Sequence, residues 1–159
     1  MGKWIGIFAA AVLSVAAIAA PLPYDEHADA HATLQQGLDA ARASGKDVLV
    51  VFGANWCQDC RELDKALHGR SASLIDARFV VIKIDVGNFD KNLDVVKRYG
   101  YPTGKGIPAA VVLSANDQVL YATRAGELAD ARHMGDDGIY DFFAKVVPAQ
   151  HLAKPPTAP

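Results

Sequence analysis

The chain has 159 residues, 51% of them hydrophobic, with 16 Lys and Arg against 18 Asp and Glu for a formal net charge of −2. Acids and bases are interspersed without a basic stripe, which argues against nucleic acid as a partner. A chain of this length, less a leader, holds one domain with one sizeable core, so one fold and one site are expected.

Met1 to Lys3 supplies a short positive head, and Trp4 to Ile18 is an apolar run broken only by Gly6 and Ser14. Ala17-Ile18-Ala19 offers the small-x-small pattern of a signal peptidase site, so residues 1–19 read as a secretory signal peptide and the mature chain begins near Ala20. The apolar stretch also approaches the ~20 residues of an uncleaved anchor helix. Either way the remainder lies outside the cytoplasm, periplasmic or otherwise secreted. Residues 20–147 form the expected domain. Residues 148–159 carry four prolines and little to bury, and read as a disordered tail.

Leu34, Leu38 and Ala41 recur at helical spacing up to Gly45, a natural terminator. Asp47 to Phe52, DVLVVF, has too little polar alternation for an edge strand and is placed in the middle of a sheet. From Cys57 the period changes to 3.6, with Leu63, Ala66 and Leu67 on one face and Arg61, Glu62, Asp64 and Lys65 on the other, so the CxxC pair opens a helix. After Gly69 a further helical turn or two leads to a second strand, Phe79 to Val86. Strand, helix, strand implies parallel pairing through a right-handed crossover. Asn92 to Tyr99 is another amphipathic helix. After Ile107-Pro108 come a strand AAVVLS, a turn at residues 115–118 and a partner strand VLYAT. A last helix is expected from about Gly138 to Val147, burying Ile139, Phe142, Phe143 and Val146; Gly126 to Gly138 is expected as a loop.

Cys57 and Cys60, the only cysteines, admit three readings. A structural staple over so short a loop constrains the unfolded chain little. A metal clamp, for instance for copper(I), needs further ligands. His68 stands well beyond the pair, and His27 and His31 lie in a polar stretch where they read as solvated. A redox couple uses more of the pattern. At a helix N-terminus, unpaired N–H groups and the positive dipole end favour a thiolate at Cys57, the more exposed nucleophile. Cys60, one turn on and inward, then resolves the mixed disulfide. Trp56 offers an apolar plate beside the sulfur.

FGANWCQDCRELDKAL, with Ile107-Pro108 downstream, resembles the active-site segment of the thioredoxin superfamily. Within it the run is similar to small secreted thioredoxin-like proteins and to the C-terminal thioredoxin-like domain of the bacterial reductant transporter DsbD. The likeness covers about Thr33 to Val147. It implies an α/β thioredoxin-like fold, a central mixed sheet flanked by helices with CxxC at a helix N-terminus. It also implies thiol–disulfide exchange on protein disulfides with no cofactor beyond the Cys57–Cys60 disulfide and no metal. A cis Ile107–Pro108 loop facing the disulfide, substrate contacts by Trp56, Ile107 and Pro108, and a DsbD-type membrane electron donor follow from the same resemblance. A thioredoxin-fold copper(I) metallochaperone and a non-catalytic interaction module are the alternatives.

Two departures stand out. Thioredoxin carries a buried Asp six residues before its first active-site Cys, where this chain has Val51, and its lysine on the next strand is replaced by Val81. Asp59 or Glu62 is left as proton acceptor, and Gln58 and Asp59 as the residues that tune the couple. A carboxylate at Asp59 in a largely solvated setting disfavours the Cys57 thiolate by ~1 kcal/mol or less, which points to the reducing or isomerising side.

Overall fold

The computed structural model describes residues 21–146. The signal segment read at 1–19 and the tail read at 148–159 lie outside the described residues, as do the outer limits of the domain.

Helix α1 (Ala30–Ser44) starts where Asp29 accepts the N–H groups of His31 and Ala32, at 2.9 and 3.1 Å. These are donors that the first helical turn leaves without partners. It stops at Gly45, whose φ of 69° favours glycine. His31 is not left to solvent alone: its Nε2 is 2.6 Å from Asp94 Oδ2.

Strand β1 (Asp47–Gly53) follows at once, buried along its whole length. Helix α2 (Gln58–His68) and helix α3 (Ala72–Arg78) then cross over to strand β2 (Phe79–Asp85). Strands β3 (Ala109–Leu113) and β4 (Val119–Ala122) complete the sheet in the order β2-β1-β3-β4. β1 runs parallel to β2, with Gly53 opposite Asp85, and antiparallel to β3, with Phe52 opposite Ala109. The expected mixed sheet flanked by helices is therefore present, with the DVLVVF run in its middle. Only a strand hydrogen-bonded on both edges and covered on both faces tolerates so apolar a run.

α1 packs on β1 and β2, and α2 packs on the last helix. Leu49, Phe52, Leu63 and Phe143 are fully buried between these layers. Each such side chain contributes about 1.5–3 kcal/mol through the apolar surface it removes from water.

Between β2 and β3 lie helix α4 (Leu93–Arg98) and an unexpected 3-10 turn at Pro102–Lys105. The last helix, α5 (Ala131–Val146), corrects the sequence expectation more substantially. It begins seven residues before Gly138, and Gly135 breaks its regularity with φ 66° and ψ 172°. Most of residues 126–138 face solvent, but Leu128, ahead of the helix, and Ala131, its first residue, are buried. A turn in which Glu127 accepts the N–H groups of Arg124 and Ala125 brings the chain back onto α2. The periodicity was hidden because a glycine-interrupted turn does not carry the 3.6 pattern across the break.

Candidate active site

β1 ends at Gly53 and the chain passes through Ala54, Asn55 and Trp56 into the N-terminus of α2. Open α/β sheets place their chemistry at the carboxyl ends of the strands. Cys57 is the N-cap of α2. Its Sγ accepts the N–H of Cys60 at 3.1 Å, so a backbone donor of the first turn points at the sulfur. The two cysteines form a disulfide with Cα atoms 5.2 Å apart. Cys57 is 6% exposed and Cys60 1%, so both are buried and Cys57 is the outer of the two.

The Ile107–Pro108 bond is cis, as the resemblance implied. Ile107 and Pro108 are buried against the site, and the Ile107 carbonyl oxygen is 3.6 Å from Cys57 Sγ. Trp56 is 55% exposed. It is not loose: its Nε1 donates to the Gly87 carbonyl at 2.9 Å, and its ring meets the edge of Phe89 at 6.2 Å between centroids. Phe89 is itself half exposed. The pair forms an apolar shoulder next to Cys57.

The residues between the cysteines are held from a distance in sequence. Asp59 is 9% exposed, which corrects the solvated setting expected for it. Its Oδ1 accepts the Arg132 N–H at 3.0 Å and lies 3.5 Å from Arg132 Nε, while Arg132 Nη1 donates to Gln58 Oε1 at 3.0 Å. The guanidinium thus offsets the carboxylate that sequence reasoning treated alone. Glu62 faces Lys65, 3.7 Å away at the half-exposed flank of α2.

Asn55 closes the other side. Its Oδ1 accepts the Tyr24 N–H at 3.0 Å and its Nδ2 donates to the Tyr24 carbonyl at 2.8 Å and to Glu26 at 2.9 Å. A side chain here imitates a strand partner and fastens the segment before α1 to the active-site loop. Replacing Asn55 by Leu should cost about 2 kcal/mol, because two buried backbone groups lose their partners. Urea unfolding of the variant checks this; an unchanged midpoint contradicts it.

A family model described as Thioredoxin-like matches residues 29–115, more than half of the chain. The chain belongs to the thioredoxin-like family. The crystal structure of a disulphide isomerase from Xylella fastidiosa Temecula1 superposes with a TM-score of 0.78 at 53% identity, over 82% of this chain and 100% of that one. The thiol:disulfide interchange protein DsbD of Pseudomonas fluorescens is 34% identical over 74 residues, 45% of this chain and 12% of that protein. A protein disulfide-isomerase of Medicago sativa is 34% identical over 85 residues, 52% of this chain and 17% of that protein. The chain therefore spans less than a fifth of the length of these two curated relatives.

Measured against thioredoxin, this thioredoxin-like chain keeps the sulfurs and changes their support. Val51 is 2% exposed and fully apolar where a carboxylate was expected to be missing. Polar groups reach the active-site loop from elsewhere: Tyr24, before α1, is held by Asn55, and Arg132 of α5 holds Gln58 and Asp59. Sequence reasoning missed both, since 31 and 73 residues separate them from the loop residues they hold. Among the described residues no group of three or more His, Cys, Asp or Glu is placed to hold a metal ion.

Proposed function

We propose that this thiol–disulfide oxidoreductase works outside the cytoplasm, on protein disulfides, and on the reducing or isomerising side. The observation that carries the reading is the Cys57–Cys60 disulfide at the N-terminus of α2, with Cys57 outermost and its sulfur against the Ile107 carbonyl. Cys57 attacks a substrate disulfide as the thiolate, and Cys60 attacks the resulting mixed disulfide and releases the substrate. Trp56, Ile107 and Pro108 receive an extended substrate segment beside the sulfur. The exposed Trp56–Phe89 shoulder suits apolar side chains of an incompletely folded protein. The leader-like residues 1–19 and the likeness to DsbD support an extracytoplasmic site and a DsbD-type membrane protein as electron donor.

Neither residue between the sulfurs is cationic, and Arg132 offsets Asp59 rather than adding net positive charge, so the couple should equilibrate with glutathione closer to the roughly −270 mV of thioredoxin than to the roughly −120 mV of DsbA. Gln58 and Asp59 tune it together with Arg132. Asp59→Asn removes a negative charge near the Cys57 thiolate and should raise the potential by up to about 20 mV, while Arg132→Ala should lower it by a similar amount. A potential above about −150 mV, or one indifferent to both substitutions, contradicts the assignment. Insulin disulfide reduction by wild type but not by Cys57→Ser tests the activity itself. Copper(I) binding that disappears when the thiols are blocked, without any reductase activity, would instead establish the metallochaperone reading.

A further inference from the structure

The resolving sulfur has a neighbour that the exchange reaction has not yet used. Tyr24 is 4% exposed, and its main chain is clasped by Asn55 on both its N–H and its carbonyl. The hydroxyl end of its ring reaches Gly53. A Cβ placed on Gly53 would stand 2.2 Å from the Tyr24 hydroxyl oxygen and 2.8 Å from Cys60 Sγ. The phenol and the sulfur thus share the space one side-chain carbon would fill, and glycine at 53 leaves that space to them.

We propose that the Tyr24 hydroxyl donates a hydrogen bond to the Cys60 sulfur and stabilises the thiolate that Cys60 must become in the resolving step. Val51, buried and apolar on β1, offers the sulfur no such donor, and Tyr24 acts by hydrogen bonding alone, not as a proton acceptor. The proposal rests on the reading of Cys60 as the resolving thiol. In that step the Cys60 thiol gives up its proton and its sulfur attacks Cys57 Sγ. The Cys57–Cys60 bond forms and the bond from Cys57 to the substrate sulfur breaks. The electron pair leaves on the substrate sulfur, which takes up one proton. The two protein thiols are oxidised, the substrate disulfide is reduced, and Tyr24 keeps its own proton throughout.

The surroundings favour a donor over an acceptor at this hydroxyl. Burial, then the nearby carboxylates of Asp64 and Asp85, push the Tyr24 phenol far above its ordinary range, so it stays protonated. Asp64 on α2 is paired with Lys83 of β2, and Asp85 of β2 lies 3.3 Å from Lys91 Nζ. Both carboxylates are thereby engaged with cations. A hydrogen bond from a neutral donor to an ionised acceptor is among the stronger kinds.

The test is Tyr24→Phe, which keeps the ring and removes one oxygen. In a Cys57→Ser background Cys60 is the remaining thiol, and the Cβ chemical shift of 13C-labelled Cys60 reports its ionisation. Asp64, Lys83, Asp85 and Lys91 are present in both proteins, so only the hydroxyl differs. Tyr24→Phe should raise the Cys60 pKa by about one unit or more. In the two-cysteine protein, single-turnover reaction with a disulfide peptide, quenched by acid and resolved by mass, should show resolution slowed about tenfold. Formation of the Cys57 mixed disulfide should stay within about twofold of wild type. Replacement of Tyr24 by a fluorinated tyrosine retains the packing and strengthens the donor, and should lower the Cys60 pKa. An unmoved Cys60 titration in both variants, or equal slowing of both steps, overturns the proposal. Failure of wild type to form any mixed disulfide would sink the proposed function instead, and the titration separates the two cases.

Discussion

Cys60→Ser should convert a turning-over protein into a trap. The nucleophile at Cys57 survives, still capped into the first turn of α2, while the thiol that releases substrate is gone. Extracts or a model disulfide protein treated with this variant should give covalent adducts on non-reducing gels that vanish with dithiothreitol. Cys57→Ser should give few adducts, because Cys60 is 1% exposed and a substrate disulfide cannot reach it. Both variants should lose at least about 10³-fold in multiple-turnover reductase activity, since a serine hydroxyl does not replace a thiolate in exchange. Equal adduct yields from the two variants would show that the roles are assigned the wrong way round.

Gly53→Ala should destabilise the oxidised protein by about 2–3 kcal/mol, a large share of the roughly 5–15 kcal/mol of a typical domain. The added methyl would lie 2.2 Å from the Tyr24 hydroxyl oxygen, 2.5 Å from its Cζ and 2.8 Å from Cys60 Sγ, all well inside contact distance. None of these groups retreats cheaply. Tyr24 is clasped by Asn55, Cys60 is tied to Cys57, and Gly53 itself is hydrogen-bonded in the central strand through its carbonyl to Val86. Urea unfolding followed by circular dichroism measures the loss. In a Tyr24→Ala background the same substitution should cost clearly less, a coupling that a double-mutant cycle isolates. An unchanged midpoint for Gly53→Ala would mean that the phenol is not held where the fold places it.

These two results draw on different levels of information. Cys57, Cys60 and the helix they open were legible directly, because a buried β-branched run followed at once by a 3.6-residue apolar period leaves few alternatives for what joins them. The place of Asp47–Gly53 in the middle of the sheet was legible for the same reason, whereas the loop carrying Ile107 and Pro108 was expected at the site only from the resemblance to the thioredoxin superfamily. The start of α5 was not, since Gly135 interrupts its pattern and the buried Leu128 and Ala131 are too few to show a period. Asp59 was legible as a charge between the sulfurs, yet its environment was not. Its burial and its pairing with Arg132 come from a segment 73 residues away.

What the sequence by itself determined is the local chemistry: two thiols one helical turn apart, at the end of a strand whose composition commits it to the interior. Periodicity and turn signals act over a few residues and are written in neighbouring letters. What only the tertiary structure decided is the company those thiols keep. Tyr24 and Arg132 meet the site because α1 folds back on β1 and α5 returns onto α2. Such contacts arise from how apolar faces close over the sheet, and a polar side chain's partner is then set by three-dimensional packing, which leaves no spacing in the chain to read.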